Sequence, residues 1–158
     1  MSLDSPRPST IDGSQFRFAI ITARYNTDLV NALLDNALST LSASGSTAPQ
    51  VLKVPGSAEL PFAASQLAKS GQYDAIIVIG VVIAGDTNHH NIIGDSTATA
   101  LQTVSIKNEV PVINGILVTN TLAQAEIRAT GEINRGKEFA QAALEMAEFT
   151  KQWKTTNQ

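Results

Sequence analysis

Apolar positions along the chain switch repeatedly between two spacings. Phe16-Arg-Phe-Ala-Ile-Ile-Thr22 is a short β-prone run and predicts a strand. Asn26-Thr-Asp then supplies helix-start residues, and Val30, Leu33, Leu34, Ala37, Leu38 and Leu41 fall on one face of a helix that Ser44-Gly45 ends. A second unit follows, with strand-like Gln50-Val-Leu-Lys-Val54, a break at Pro55-Gly56-Ser57, and a helical segment from Leu60 to Lys69 before Gly71. Pro61 fits there, because a first-turn N–H has no intrahelical partner to lose. Ala75-Ile-Ile-Val-Ile-Gly-Val-Val-Ile83 is nearly all β-branched, the pattern of a central strand covered on both faces.

Beyond it, Ile93, Thr97, Ala100, Leu101 and Val104 mark one face of a helix ending before Pro111, and Pro111 to Val118 predicts a fourth strand. Thr121-Leu-Ala-Gln124 matches a capping box and opens a short helix through Ala129. Asn134-Arg135-Gly136 reads as a loop. The last helix runs from Gly136 to about Trp153, packing through Phe139, Ala142, Ala143, Met146 and Ala147. Strand and helix thus alternate four times, which implies a parallel sheet with helices on both faces, an α/β three-layer domain.

The 158 residues suit one domain, residues 15–158, preceded by a flexible N-terminal arm, 1–14, whose Ser, Pro, Asp and Gly leave little to bury. Only 16% of residues are charged against 43% hydrophobic, so part of the surface is expected to be covered by other copies of the chain. A net charge of −3 without any Lys or Arg run argues against nucleic acid. The absence of cysteine excludes thiolate chemistry and disulfides. No run approaches the roughly 20 apolar residues of a membrane helix, and residues 1–14 lack the apolar core of a signal peptide, so a cytoplasmic location is expected.

Ligands of open parallel sheets bind outside the carboxyl ends of the strands. That rule selects Ala23-Arg-Tyr-Asn26, Pro55-Gly-Ser-Ala-Glu59, Ala84-Gly-Asp-Thr-Asn-His-His90 and Thr119-Asn-Thr121. Gly85-Asp86-Thr87 before a helix suits an anion such as phosphate, through free N–H groups and the helix dipole, although an ordinary turn with a Thr or Asn cap is the commoner use of such a tripeptide. His89 and His90 are adjacent, so on a helix they diverge by about 100° and only one can face a given site. With two histidines and no cysteine a metal is not expected, and general acid/base work by an imidazole is the better functional reading. Glu59 can bind a polyol or stabilise a helix start, and Tyr25 can stack on a heterocycle or sit at the core rim. Arg128 lies on the short helix after the capping box, where a solvated arginine is the commonplace alternative.

From Phe16 to about Ala147 these segments resemble, in order and spacing, the lumazine synthase family of riboflavin biosynthesis. Ala23-Arg24-Tyr25-Asn26 is similar to the family's Ala-Arg-aromatic-Asn loop, and Val54-Pro-Gly-Ser-Ala-Glu-Leu-Pro61 resembles its Val-Pro-Gly-small-X-Glu-aliphatic-Pro signature. Gly80-Val-Val-Ile-Ala-Gly-Asp-Thr-Asn-His89 resembles its strand, phosphate turn and catalytic histidine, and Arg128 with Asn134-Arg-Gly136 its C-terminal Arg and Asn-Lys-Gly elements. The resemblance implies a flavodoxin-like fold and condensation of 5-amino-6-ribitylaminouracil with 3,4-dihydroxy-2-butanone 4-phosphate to 6,7-dimethyl-8-ribityllumazine, without a cofactor.

By motif position it implies His89 as the catalytic proton carrier, Tyr25 stacked on the pyrimidine, Ser57 and Glu59 on the ribityl chain, and Val82 and Ile83 lining the uracil pocket. Gly85, Asp86 and Thr87 would hold phosphate through the backbone, with Arg128 neutralising it. Sites in this family form between neighbours in a homopentamer, so Asn114, Arg128 and Arg135 are expected from a second subunit. Pentamers, paired pentamers and icosahedral shells all occur. The chain departs from the family at Ala84 (often Arg or Lys), His90-Asn91 (an aromatic-acid pair), Asn114 (often Phe) and Arg135 (Lys), and its link from Ala129 to Asn134 is about one residue shorter. These departures motivate an alternative, a non-catalytic flavin- or lumazine-binding shell protein.

Overall fold

The computed structural model describes residues 10–157. Strand β1 (Phe18–Ala23) leads into α1 (Thr27–Ala43), β2 (Gln50–Val54) into α2 (Leu60–Lys69), and β3 (Ala75–Ile83) into α3 (His89–Asn108). Strand β4 (Val112–Thr119) leads into α4 (Leu122–Ala129), and α5 (Arg135–Thr156) closes the chain. The strands are parallel in the order β2-β1-β3-β4, so the two most apolar strands are the inner ones.

Alternation along β3 divides the core in two. Ile77 and Ile79 join Ile20 beneath Leu33 and Leu41 of α1 and Ala140 and Leu144 of α5, with α4 on the same side through Ala125 and Ala129. Ile76 and Val78 turn the other way with Ile21 against Leu60 and Ala64 of α2 and Leu101 of α3. The result is the three-layer sandwich that the alternating pattern implies, with the flavodoxin-like fold that the family resemblance implies. Each fully buried Leu or Ile side chain contributes about 1.5–3 kcal/mol.

Several boundaries differ from the sequence reading. Residues 1–9 of the expected arm lie outside the described residues. The packed chain begins before residue 15: Asp12 caps a 3-10 turn at Gly13–Gln15, and the Gly13 N–H donates to Ser44 C=O at 2.8 Å. Phe16 follows that turn and meets the Phe18 ring edge-on at 6.2 Å, so β1 starts at Phe18.

Arg135 and Gly136 are not a loop. They form the first turn of α5, whose N-cap Asn134 accepts the Lys137 N–H through Oδ1 at 2.9 Å. Gly136 is there because α5 crosses α1 closely: a Cβ would lie 2.3 Å from Leu33 O. That crossing sets the rotation of the helix. Phe139, Ala140, Ala143, Leu144 and Ala147 form its buried stripe, whereas Ala142 is half-buried and Met146 is 40% exposed. Met146 instead shares an outer face with Phe149 and Trp153, whose rings stack at 6.4 Å.

Helix α3 is unevenly covered. Only Thr97 and Leu101 of its 20 residues are buried, Ile93, Ala100 and Val104 are half-buried, and Ile92 and Ile106 are exposed.

Candidate functional site

Three strand-to-helix loops meet at the carboxyl end of the sheet. After β1, the backbone turns at Asn26, which holds the left-handed conformation (φ 53°, ψ 49°) that Asn tolerates better than most residues. Asn26 stands at the N-cap of α1, yet its side chain does not cap the helix and donates instead to Val81 C=O at 2.8 Å. Tyr25 just before it is exposed at the rim.

After β2, a 3-10 turn at Ser57–Glu59 precedes α2. The Glu59 carboxylate accepts the Gly56 N–H at 2.8 Å, so it stabilises this turn while also facing the cavity. Ser57 is buried against Gly80 of β3, where a Cβ would lie 2.4 Å from Ser57 Oγ. Glycine at that position lets the turn sit directly on the sheet.

After β3 the chain passes through exposed Gly85, Asp86 and Thr87 into α3, whose first residue is His89. The His89 N–H donates to Thr87 Oγ1 at 3.4 Å, and His90 Nδ1 lies 3.2 Å from Thr87 O. His90 is thereby engaged with its own turn.

Between these loops lies a cavity of about 550 Å³. Tyr25 and Asn26 form one wall, Gly56, Ser57 and Glu59 a second, Val81, Val82 and Ile83 the floor, and His89 with Ile93 the side of α3. Six residues singled out from the sequence therefore converge: Tyr25, Ser57, Glu59, Val82, Ile83 and His89. Asn26 and Ile93 line the same cavity and were not selected as site residues. Ile93 carried a signal in its spacing, one helical turn after His89; Asn26 lay in a selected strand-end segment but was given no role, because a helix-start Asn is ordinarily read as a cap.

Other selected residues stand elsewhere. Gly85, Asp86 and Thr87 adjoin the cavity through His89 without lining it, and Thr119-Asn-Thr121 does not reach it. Asn114 is exposed in mid-β4, where its Oδ1 accepts the Ile116 N–H at 3.0 Å. Arg128 is half-buried in the last turn of α4 and donates through Nη1 to Gln124 C=O at 2.9 Å. Arg135 is 6% exposed and pairs with Glu138, leaving its buried Nε without a hydrogen-bond partner among the described residues. All three belong to β4, α4 and α5, whereas the cavity is made by the loops after β1 and β2, the end of β3 and the start of α3. Among the described residues the lining consequently holds one carboxylate, one imidazole and neither lysine nor arginine.

A flavodoxin-like parallel sheet with a small-molecule cavity at its carboxyl end, equipped with an imidazole and a polar wall, has the architecture of an α/β enzyme acting on small substrates. Residues 15–151 match the sequence family described as 6,7-dimethyl-8-ribityllumazine synthase. The chain is 37% identical over 151 residues to the 6,7-dimethyl-8-ribityllumazine synthase of Phocaeicola vulgatus, covering 94% of this chain and 90% of that protein. The synthase of Xanthomonas euvesicatoria is 42% identical over 143 residues, with 89% and 90% covered. That of Thermococcus gammatolerans is 38% identical over 137 residues, with 87% and 89% covered. The chain belongs to the 6,7-dimethyl-8-ribityllumazine synthase family.

Proposed function

We propose that this chain catalyses the condensation of 5-amino-6-ribitylaminouracil with 3,4-dihydroxy-2-butanone 4-phosphate, giving 6,7-dimethyl-8-ribityllumazine, phosphate and water, the penultimate step of riboflavin biosynthesis. The observation that carries the reading is the convergence of Tyr25, Ser57, Glu59, Val82, Ile83 and His89 on one cavity. Its chemistry suits a flat heterocycle bearing a polyol. Tyr25 offers an aromatic face for the pyrimidine, Val82 and Ile83 an apolar floor beneath it, and Ser57 and Glu59 hydrogen-bonding groups for the ribityl hydroxyls.

The reaction proceeds through imine formation, phosphate elimination and ring closure. Each step moves a proton, and His89 carries it, since an imidazole is both donor and acceptor near neutrality. Backbone N–H groups of Gly85, Asp86 and Thr87 hold the phosphate at the start of α3, where the helix dipole favours negative charge.

The lining shows no Lys or Arg among the described residues, and the cations selected from the sequence, Arg128 and Arg135, lie on the α4-α5 side. A second copy therefore completes the site, with Arg128 reaching the phosphate and Asn114 and Arg135 the pyrimidine. Arg135 must exchange Glu138 for ligand to do so, which gives Arg128 the larger part. Thinly covered α3 and the exposed Phe62, Ile92 and Ile106 supply apolar surface for a pentamer or an assembly of pentamers. Formation of lumazine from the two substrates, followed by absorbance, tests the proposal. His89→Ala is expected to lower turnover by roughly 10- to 10⁴-fold, and unchanged turnover removes His89 from the proton-carrying role.

A further inference from the structure

The sheet is uneven at the end where the cavity opens. Strand β1 pairs with β3 as far as Thr22 opposite Ile79 and with β2 as far as Ala23 opposite Val54. Strand β3 continues alongside β4 to Ile83 opposite Thr119. Gly80, Val81, Val82 and Ile83 thus extend beyond the last β1 partner, and on that side the cavity floor has lost its neighbouring strand. The Val81 carbonyl faces the vacated side, and the Asn26 side-chain amide donates to it at 2.8 Å across 55 residues of sequence.

We propose that Asn26 is a positioning residue whose side-chain amide replaces the missing β1 rung and thereby fixes the separation between Tyr25 and the Val81–Ile83 floor. Two further bonds make the loop a short bridge. On its β2 side the Arg24 N–H donates to Pro55 C=O at 3.3 Å, continuing the β1–β2 ladder by backbone, and within it Thr27 Oγ1 donates to Arg24 C=O at 2.7 Å. Tyr25 sits between the two anchors. It is 72% exposed, with its ring edge lying over Gly56, so its backbone place over the cavity is set by Arg24 on one side and Asn26 on the other.

The residue type follows from two demands at one position. The backbone there is left-handed, which disfavours most side chains, and the bond to Val81 needs a short side chain ending in an N–H donor. Asn meets both. Gly meets only the first, and Asp meets the first while presenting an acceptor to an acceptor.

This role rests on the substrate assignment above, so the test carries a readout independent of it. Asn26→Asp and Asn26→Gly are prepared in the full chain. Both are expected to weaken binding of 5-amino-6-ribitylaminouracil, measured by calorimetry, by about 5- to 20-fold, the range for losing one hydrogen bond and leaving a carbonyl unpaired. The KM for the pyrimidine is expected to rise by a larger factor than kcat falls, the split of a residue that acts on binding through Tyr25. In Asn26→Asp the backbone order parameter of Tyr25 falls, whether or not ligand is present. Wild-type affinity in both variants overturns the proposal. So does weakened binding in Asp with wild-type affinity in Gly, which would assign the effect to charge. If the wild-type protein itself does not bind the pyrimidine, the substrate assignment fails, and an unchanged Tyr25 order parameter in Asn26→Asp is then the result that rejects the positioning role.

Discussion

Gly80→Ala tests whether the cavity wall and the sheet meet as tightly as the structure requires. The new methyl group would stand 2.4 Å from Ser57 Oγ, 3.3 Å from Leu60 Cδ1 and 3.4 Å from Ser57 Cβ. Two effects oppose each other. Replacing glycine within a strand stabilises by roughly 0.5–1 kcal/mol through the unfolded chain, and overpacking destabilises by about 1–3 kcal/mol. Ser57 and Leu60 are both buried, which limits escape, so the clash prevails and a net loss of about 0.5–2 kcal/mol is expected. Only the 2.4 Å contact is prohibitive, and it belongs to the hydroxyl.

Ser57→Ala combined with Gly80→Ala should therefore recover most of the loss, giving a coupling of about 1–3 kcal/mol in a double-mutant cycle. Urea unfolding at one fixed protein concentration measures it, since assembly makes stability depend on concentration. The single variant should also bind the pyrimidine more weakly because Ser57 must move. A neutral Gly80→Ala, or strictly additive variants, would refute the claim that Ser57 rests on this glycine.

The remaining predictions concern other links. Leu144→Ala should cost about 2–5 kcal/mol in urea unfolding, while Met146→Ala should stay within about 0.5 kcal/mol in the unassembled chain, and the reverse order would contradict the observed rotation of α5. Arg128→Ala should raise the KM for the phosphate substrate, and an effect confined to the pyrimidine would contradict its phosphate role. The Asp12 carboxyl is held below the usual aspartate value by the Ser14 hydroxyl at 2.6 Å and then by the Ser14 N–H at 3.0 Å. Because the folded value is the lower one, the turn's stabilisation is present above the ordinary aspartate range and lost as pH falls through the depressed value. The Ser14 amide resonance should accordingly titrate with a midpoint below that of an exposed aspartate; a midpoint at or above it contradicts the bond.

The α/β alternation was readable because the central strands are buried on both sides, so β3 appears as a nearly all β-branched run with boundaries at Ala75 and Ile83. Helix α5 was harder. Its face is chosen by the approach to Leu33 of α1, and alanines on several sides leave the periodicity nearly silent, so Met146 was expected inside and Ala140 and Leu144 were passed over. Cavity residues were legible where local sequence places them at strand ends, as with Tyr25, Glu59 and His89. Asn26 fell within a selected strand-end segment, but its role was not legible, because its partner Val81 is remote in sequence and the bond depends on β1 ending before β3. Asn114, Arg128 and Arg135 lie away from the cavity, and no reading of one chain can bring them to it.

The central claim is that the His89 cavity of one copy is completed by Arg128 of the next. His89→Ala and Arg128→Ala chains, each of low activity alone, can be refolded together in equal amounts and assayed for lumazine formation. If the site lies between copies, about one quarter of the sites in the mixed assembly regain both groups, and activity rises well above either parent. Activity no higher than the mean of the two parents would place both residues in one copy's site and contradict the account.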